Sequence, residues 1–176
     1  IDVGRLRQWK NRIVGKLTAG LTILAKQRKV QVLRGFGRLV SPHRLELREP
    51  DGGVKVIGFE HCILAAGSEP ARVPGWPADP RLMDSTGALD LKELPGRLLV
   101  VGGGIIGLEM ACVYDALGSK VSVVELTPGL LPGCDRDLVR PLEKRIRGRY
   151  EAVLTGTRVA AVEARDEGLQ VSFEGG

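Results

Sequence analysis

A glycine-rich turn between two apolar segments constrains the fold of this chain more than any other feature of its sequence. Four apolar residues, Leu98 to Val101, predict a short strand of the kind that lies buried in a parallel sheet. Three glycines follow directly at the spacing G-x-G-x-x-G: Gly102, Gly104 and Gly107. An apolar-rich segment then predicts a helix to Leu117, and residues 120–124 predict a second strand. The expected fold class is therefore α/β, with helices packed on a parallel sheet.

The turn has the properties of a Rossmann-like dinucleotide-binding site. Gly102 permits the tight turn, Gly104 lets the backbone approach a pyrophosphate, and Gly107 lets the helix pack closely on the strand. The N–H groups and the dipole of the helix start both favour the phosphates. Glu125 ends the second strand about 20 residues beyond the glycines, where an acid accepts hydrogen bonds from both hydroxyls of the adenine ribose. Since a carboxylate there repels a 2′-phosphate, the sequence favours NAD over NADP, and a glycine turn without a ligand is the alternative.

Length, charge and cysteine content narrow the function classes. The 176 residues suffice for one ordinary domain or two partial ones, and both ends suggest an excerpt of a longer polypeptide. No apolar run predicts a membrane span or a signal peptide. Cys62, Cys112 and Cys134 form no CxxC or CxxxxC pair, which favours a reducing cytoplasm. The net charge of +5 comes with only 4% aromatic residues and no recognition motif, so nucleic-acid binding rests on charge alone.

The first part of the chain predicts a helix followed by strands. Apolar residues recur every three or four positions over residues 2–27, so a helix with an apolar face against the core is expected. Residues 30–33 and 38–40 predict strands, and residues 44–59 predict a hairpin that turns at Asp-Gly-Gly. Residues 62–68 predict a buried strand that ends in a turn of small residues.

The remaining segments predict a linker and the end of an α/β unit. Residues 71–96 contain several prolines and predict an extended linker with a short helix after Ser85. Residues 138–147 predict a helix and residues 152–154 a third parallel strand. Residues 157–173 predict an antiparallel hairpin. The two histidines of the chain have no metal-like partners at useful spacing, so no metal site is expected.

Six separated stretches carry one pattern over almost the whole chain. They are LRGFGRL at 33–39, ILAAGSEP at 63–70, VPG at 73–75, VVGGGIIGLE at 100–109, LGSKVSVVE at 117–125 and TRVAAVE at 157–163. In this order and spacing the chain resembles the central part of the flavin-dependent pyridine nucleotide–disulfide oxidoreductases, most closely the dihydrolipoamide dehydrogenases. The resemblance implies a partial FAD-binding domain over residues 1–70, the linker over 71–96, and a C-terminally truncated NAD-binding domain over 97–176.

The resemblance also implies which residues contact FAD. Gly37 would lie against the adenine portion of FAD. Ala66, Gly67 and Ser68 would line the flavin nucleotide where the chain crosses between domains. The family usually has threonine where this sequence has Ala66, so one hydroxyl is absent from that turn.

By the same resemblance, a second set of residues contacts NAD. The residues expected to bind its pyrophosphate are Gly102, Gly103, Gly104, Ile105, Ile106 and Gly107. Glu109 would point toward the contact between nicotinamide and flavin, although an acid that merely favours the first turn of a helix is an equal alternative. Glu125 would hold the adenine ribose, and Val159 would pack on the adenine.

The implied activity is that of an oxidoreductase which oxidises dihydrolipoyl groups and passes electrons through FAD to NAD. Its full-length parent would be a homodimer that serves the dihydrolipoyl-bearing protein of a 2-oxoacid dehydrogenase complex, with no nucleic-acid or membrane partner. The chain contains neither the CxxxxC redox pair nor the His–Glu base of the family, so no catalytic residue is assigned and the chain alone is expected to be inactive. A reductase acting on glutathione or mercuric ion and a non-catalytic NAD-binding module are the alternatives.

Overall fold

The computed structural model describes residues 1–175, in which four helices and eight strands are found. The helices are α1 (Val3–Gln27), α2 (Ser85–Asp90), α3 (Ile105–Leu117) and α4 (Arg136–Arg147). The strands are β1 (Phe36–Ser41), β2 (Arg44–Arg48), β3 (Val54–Gly58), β4 (Arg97–Val101), β5 (Lys120–Val124), β6 (Ala152–Leu154), β7 (Thr157–Arg165) and β8 (Gly168–Gly175). The chain divides into two compact units, one of residues 8–69 and one of residues 1–7 with those from Pro70 onward. None of these helices is long and apolar enough to cross a membrane.

The unit of residues 8–69 contains a three-stranded antiparallel sheet in the order β1-β2-β3. The alternating sequence of β2 buries Leu47 and leaves its outer arginines exposed. The turn between β2 and β3 is closed by Asp51, whose carboxylate accepts a hydrogen bond of 3.0 Å from the N–H of Gly53. Gly52 has a φ of +89°, which glycine adopts without a steric penalty. The predicted hairpin is confirmed.

Helix α1 forms as predicted, but most of its apolar face is not part of a core. The helix begins after Asp2, whose carboxylate accepts a hydrogen bond of 2.9 Å from the N–H of Arg5. None of its residues is buried, and Leu17 in the middle of the apolar face is 67% exposed. The expected burial is therefore wrong for the described face from Trp9 onward, whereas Leu6 near the helix start is partly buried against the core. A period of 3.6 residues predicts that a helix has an apolar face, but it carries no information about what covers that face.

Two apolar runs of this unit do not form the strands that the sequence predicts. Residues 30–33 and 62–68 belong to no strand, and Ile63 is 92% exposed. A segment rich in apolar residues forms a strand only when neighbours supply its backbone hydrogen bonds. Within the described part of the chain, neither run is paired with another strand. Both expectations are therefore wrong here.

The unit that begins at Pro70 contains the predicted parallel sheet, in the order β4-β5-β6. Strand β4 pairs with β5, so that Val101 lies opposite Val124, and β5 pairs with β6. Helix α3 connects β4 to β5 and helix α4 connects β5 to β6. A separate antiparallel hairpin is formed by β7 and β8, as the sequence predicts. The α/β fold class is confirmed, since two parallel strand pairs are each joined by a helix.

The core of this unit lies between the sheet and its helices. Its buried members are Ala88, Leu91, Leu108, Ala111, Tyr114, Val121, Val123, Leu130, Val139, Ile146, Tyr150 and Val153. Tyr114 is fully buried, and its hydroxyl donates a hydrogen bond of 2.9 Å to the carbonyl oxygen of Ala88. Because Ala88 lies on α2 and Tyr114 on α3, this bond ties the proline-rich segment to the helix that follows the glycine turn.

Candidate nucleotide-binding site

The glycine turn begins where β4 ends, next to the end of β5. Gly102 has a φ of +109°, a backbone conformation that favours glycine, and its N–H donates a hydrogen bond of 2.8 Å to the carbonyl oxygen of Val124. The chain then enters α3 with Gly104 as its N-cap residue. The carboxyl ends of two parallel strands and the start of a helix therefore meet at one point, where ligands bind in open α/β sheets.

Two of the glycines are required by the packing of the protein itself. A Cβ on Gly107 would overlap the carbonyl oxygen of Gly102 and lie 3.2 Å from Cγ1 of Val100, so only glycine lets α3 approach β4. A Cβ on the buried Gly103 would overlap the side chain of Leu130. Gly104 differs, because a Cβ there would meet no atom within 4 Å and its φ of −79° suits any residue. The fold alone does not require a glycine at position 104.

The start of α3 presents N–H groups that have no side-chain partner. Its N-cap, Gly104, makes no side-chain cap hydrogen bond within the described chain. The N–H of Leu108 is the first to join the helical ladder, through a bond of 3.0 Å to the carbonyl oxygen of Gly104. The N–H groups of the preceding turn therefore point out of the helix end, where the helix dipole is positive. This arrangement suits an anion such as a pyrophosphate.

Glu125 is a buried carboxylate that joins the end of β5 to the glycine turn. It is 8% exposed. Its Oε2 accepts a hydrogen bond of 2.7 Å from the N–H of Gly103. Its Oε1 accepts two hydrogen bonds, both of 2.7 Å, from the N–H and the hydroxyl of Thr127. Burial raises the pKa of Glu125, but the bonds from Thr127, Gly103 and the N–H of Leu126 outweigh it and hold this pKa below 4.5.

The loop after Glu125 packs over the glycine turn and is held by an arginine. The N–H of Leu131 donates a hydrogen bond of 2.9 Å to the carbonyl oxygen of Gly103. Nη2 of Arg136 donates bonds of 2.8 Å to the carbonyl oxygens of Leu130 and Leu131. The sequence pattern predicts a role in the site for neither Thr127 nor Arg136. A threonine two residues after a strand-ending acid was the available signal for Thr127, because its hydroxyl reaches nearby backbone and side-chain groups.

The remaining predicted NAD contacts are spread along α3 and β7. Ile105 and Ile106, in the first turn of α3, are largely exposed. Glu109 is also exposed, and it is the fifth residue of α3. The alternative explanation of Glu109 as a first-turn acid is therefore wrong. Val159 is half-buried on β7, opposite Phe173 of β8.

The predicted FAD contacts lie in the other unit. Gly37 is on β1 opposite Leu47, and a Cβ there would lie 3.3 Å from Cδ1 of Leu45. Ala66, Gly67 and Ser68 are exposed, and Gly67 has the φ of +78° expected for a glycine turn.

A cavity of about 320 Å³ lies between the loop after Glu125 and α4. Its lining residues are Pro128, Gly129, Arg136, Val139, Arg140 and Glu143. None of the predicted site residues lines it, so it is distinct from the glycine turn. The three cysteines are free and exposed, and no group of side chains in residues 1–175 could hold a metal ion.

Comparison with known proteins gives a consistent set of relatives. A family model described as pyridine nucleotide-disulphide oxidoreductase matches residues 2–176. The dihydrolipoyl dehydrogenase of Vibrio cholerae is 47% identical over 175 residues, which cover 99% of this chain and 36% of that protein. The dihydrolipoyl dehydrogenase of Haemophilus influenzae is 46% identical over 176 residues, which cover 99% of this chain and 37% of that protein. The chain thus spans little more than a third of the length of these relatives.

Solved structures give the same picture. LpdA of Mycobacterium tuberculosis superposes with a TM-score of 0.88 at 27% identity, covering 98% of this chain and 39% of that chain. The HOCl-induced flavoprotein disulfide reductase RclA of Escherichia coli superposes with a TM-score of 0.82 at 31% identity, covering 97% and 39% respectively.

Proposed function

This chain belongs to the pyridine nucleotide-disulphide oxidoreductase family, and we propose that it is the cofactor-binding core of a dihydrolipoamide dehydrogenase that uses FAD and NAD. The match over residues 2–176 confirms the family resemblance of the sequence. Two relatives named dihydrolipoyl dehydrogenase, each nearly half identical to this chain, support the choice within the family. In the full-length parent, FAD would carry electrons from dihydrolipoyl thiols to NAD.

One observation carries the NAD-binding part of this proposal. The buried carboxylate of Glu125 is bonded to Gly103, directly before the uncapped N-terminus of α3. An acceptor for ribose hydroxyls and a donor site for phosphates therefore lie side by side, as a dinucleotide requires. Gly104 adds support, because a Cβ there would meet no atom of the described protein within 4 Å, whereas a closely approaching pyrophosphate would exclude it.

The remaining predicted contacts complete the proposal. Ile105, Ile106 and Gly107 would bind the pyrophosphate through the first turn of α3, Glu109 would face the nicotinamide, and Val159 would contact the adenine. Gly37 and the turn Ala66–Ser68 would contact FAD.

The domain division proposed is an FAD-binding part over residues 1–70, a linker over 71–96 and an NAD-binding part over 97–176. We further propose that the parent is a cytoplasmic homodimer whose partner is the dihydrolipoyl-bearing protein of a 2-oxoacid dehydrogenase complex.

Titration with reduced nucleotides tests NAD binding. The full chain is titrated with NADH and with NADPH, and the fluorescence of the nicotinamide reports binding. We expect NADH to bind several-fold more tightly, because the charge of Glu125 repels a 2′-phosphate. In Glu125→Gln this preference should fall, and Glu163→Gln is its matched control, since Glu163 is an exposed carboxylate of the same unit that pairs with Arg165. Equal affinities for the two nucleotides would contradict the role of Glu125.

A turnover assay tests the division of labour between this chain and its parent. The chain alone is mixed with dihydrolipoamide, FAD and NAD, and the absorbance of NADH is followed. We expect no NADH, because Cys62, Cys112 and Cys134 lie far apart in sequence and form no redox pair. Production of NADH by the purified chain refutes this expectation. NADH binding together with a failure to retain FAD would instead favour the alternative of an NAD-binding module.

A further inference from the structure

The two oxygens of the Glu125 carboxylate are not equivalent. Oε1 accepts both hydrogen bonds from Thr127, and a carboxylate oxygen has about two lone-pair sites, so this oxygen is saturated within the protein. Oε2 accepts one hydrogen bond of good geometry, from the N–H of Gly103, so it has more acceptor capacity left than Oε1. Since Gly103 belongs to the glycine turn, the oxygen with free capacity is the one on the nucleotide side.

We propose that Thr127 is a positioning residue that fixes the Glu125 carboxylate with Oε2 toward the ribose, and that it thereby sets the preference for NAD over NADP. This inference rests on the proposed function, because it requires a nucleotide at the glycine turn. It goes beyond that proposal in two ways. It names Thr127, and it makes only Oε2 of the Glu125 carboxylate available to the ribose.

The hydroxyl of Thr127 is the adjustable part of this arrangement. Its oxygen lies 2.7 Å from Oε1 of Glu125 and 2.9 Å from the carbonyl oxygen of Gly129. One proton serves one acceptor at a time, and the charged, nearer carboxylate is the stronger acceptor. The hydroxyl and the N–H of Thr127 therefore hold the carboxylate on one side, while the N–H of Gly103 holds it on the other.

Loss of the hydroxyl should act on the two nucleotides in opposite directions. A carboxylate without this bond keeps the bonds from the N–H groups of Thr127 and Gly103, but its last side-chain torsion, which is broad and soft, is held less firmly. Rotation weakens the hydrogen bond to a ribose hydroxyl of NADH, and it also lets the charge move away from the 2′-phosphate of NADPH. The ratio of the two affinities therefore falls, whereas a general loss of stability would weaken both affinities together.

The test compares three variants of the full chain. Thr127→Val removes the hydroxyl at nearly constant volume, and Thr127→Ser keeps the hydroxyl but removes the methyl group. Thr157→Val is the matched control, because Thr157 is a buried threonine of the same unit whose hydroxyl bonds to the carbonyl oxygen of Thr155. The dissociation constants of NADH and NADPH are measured for each variant by nicotinamide fluorescence, and urea unfolding reports their stability.

We expect Thr127→Val to lower the ratio of NADPH to NADH dissociation constants by about fivefold, the effect of one net hydrogen bond. Thr127→Ser should restore most of the ratio, and Thr157→Val should leave it unchanged. An unchanged ratio in Thr127→Val, or equal losses of both affinities, overturns the inference while NAD binding by the unmodified chain stands. If the unmodified chain does not bind NADH, both the inference and the proposed function are overturned.

Discussion

Replacement of Glu125 by glutamine isolates the contribution of its charge to the fold. The amide oxygen of glutamine can take the place of Oε1 and accept the two bonds from Thr127. The amide nitrogen then replaces Oε2, so that one donor faces another donor, the N–H of Gly103. Because Gly103 is buried, water does not replace the lost acceptor of its N–H.

The structure gives the magnitude of this change. A buried donor without an acceptor costs about 1–3 kcal/mol, and the bonds that remain lose the roughly 1 kcal/mol that a charged acceptor adds. We therefore expect Glu125→Gln to lower the free energy of unfolding by about 2–4 kcal/mol. Glu163→Gln should change it by less than about 0.5 kcal/mol, since Glu163 pairs with Arg165 at the surface.

The effect should also depend on pH in a defined direction. The pKa of Glu125 is below 4.5 in the folded chain, so the unfolded chain takes up a proton first as the pH falls. The stabilisation by this carboxylate is thus complete above pH 4.5 and is lost as the pH falls through the lower, folded pKa. Glutamine does not titrate. The difference between the parent chain and Glu125→Gln should therefore narrow in acid.

Urea unfolding followed by tryptophan fluorescence measures this difference. The chain has two tryptophans, and Trp76 is half-buried in the unit that contains Glu125. A Trp9→Phe background leaves Trp76 as the reporter, and Trp9 is exposed, so its replacement should have little effect. A Glu125→Gln variant within about 0.5 kcal/mol of its parent at neutral pH, or a difference that widens in acid, refutes the reasoning.

Three further outcomes are expected. Gly104→Ser should raise the free energy of unfolding by a few tenths of a kcal/mol, because serine is a better N-cap than glycine. The same variant should weaken NADH binding, because the serine side chain bonds to the N–H groups that a phosphate would use. A tighter NADH complex in the fluorescence titration contradicts this. Tyr114→Phe should cost about 1–2 kcal/mol in urea unfolding by leaving the carbonyl oxygen of Ala88 without its donor, and a neutral result contradicts the bond. The pKa of Asp79, held at about 2 by hydrogen bonds from the side chain and the N–H of Arg81, should rise part of the way toward 3.8 in Arg81→Met, which removes only the side-chain bonds. An NMR titration of the carboxyl carbon measures this, and an unchanged pKa excludes the Arg81 side chain as a cause.

The sequence predicts well those elements whose partners lie close along the chain. The strands over residues 44–48, 120–124 and 152–154 are found at the predicted positions, since each pairs with a strand that follows or precedes it after one turn or one helix. The glycine spacing likewise predicts the turn and the start of α3, because steric demands on Gly102 and Gly107 are local. Local pattern and local structure agree in these cases.

Predictions that depend on distant partners are less successful. The run at 62–68 and the apolar face of α1 both have the composition of buried elements, yet the run and most of that face are exposed in the described residues. Burial and strand pairing depend on which surfaces meet, and apolar periodicity does not specify these surfaces.

The bonds of Glu125 to Gly103 and Thr127 were missed for a related reason. The sequence identifies Glu125 as an acid for a ligand, but only the folded loop shows that the protein already uses three of its acceptor positions.

These internal bonds of Glu125 bear on how cofactor preference in such a chain could be re-engineered or could evolve. The donors on Gly103 and Thr127 include two backbone N–H groups, which persist whatever side chain replaces the glutamate. A lone exchange to a basic residue that attracts a 2′-phosphate therefore strands both donors, at about 1–3 kcal/mol each. A viable path to NADP begins with a substitution elsewhere in the loop that supplies a new acceptor, and only then exchanges the acid. The hydrogen bonds of the Glu125 carboxylate thus determine the order in which such mutations can accumulate.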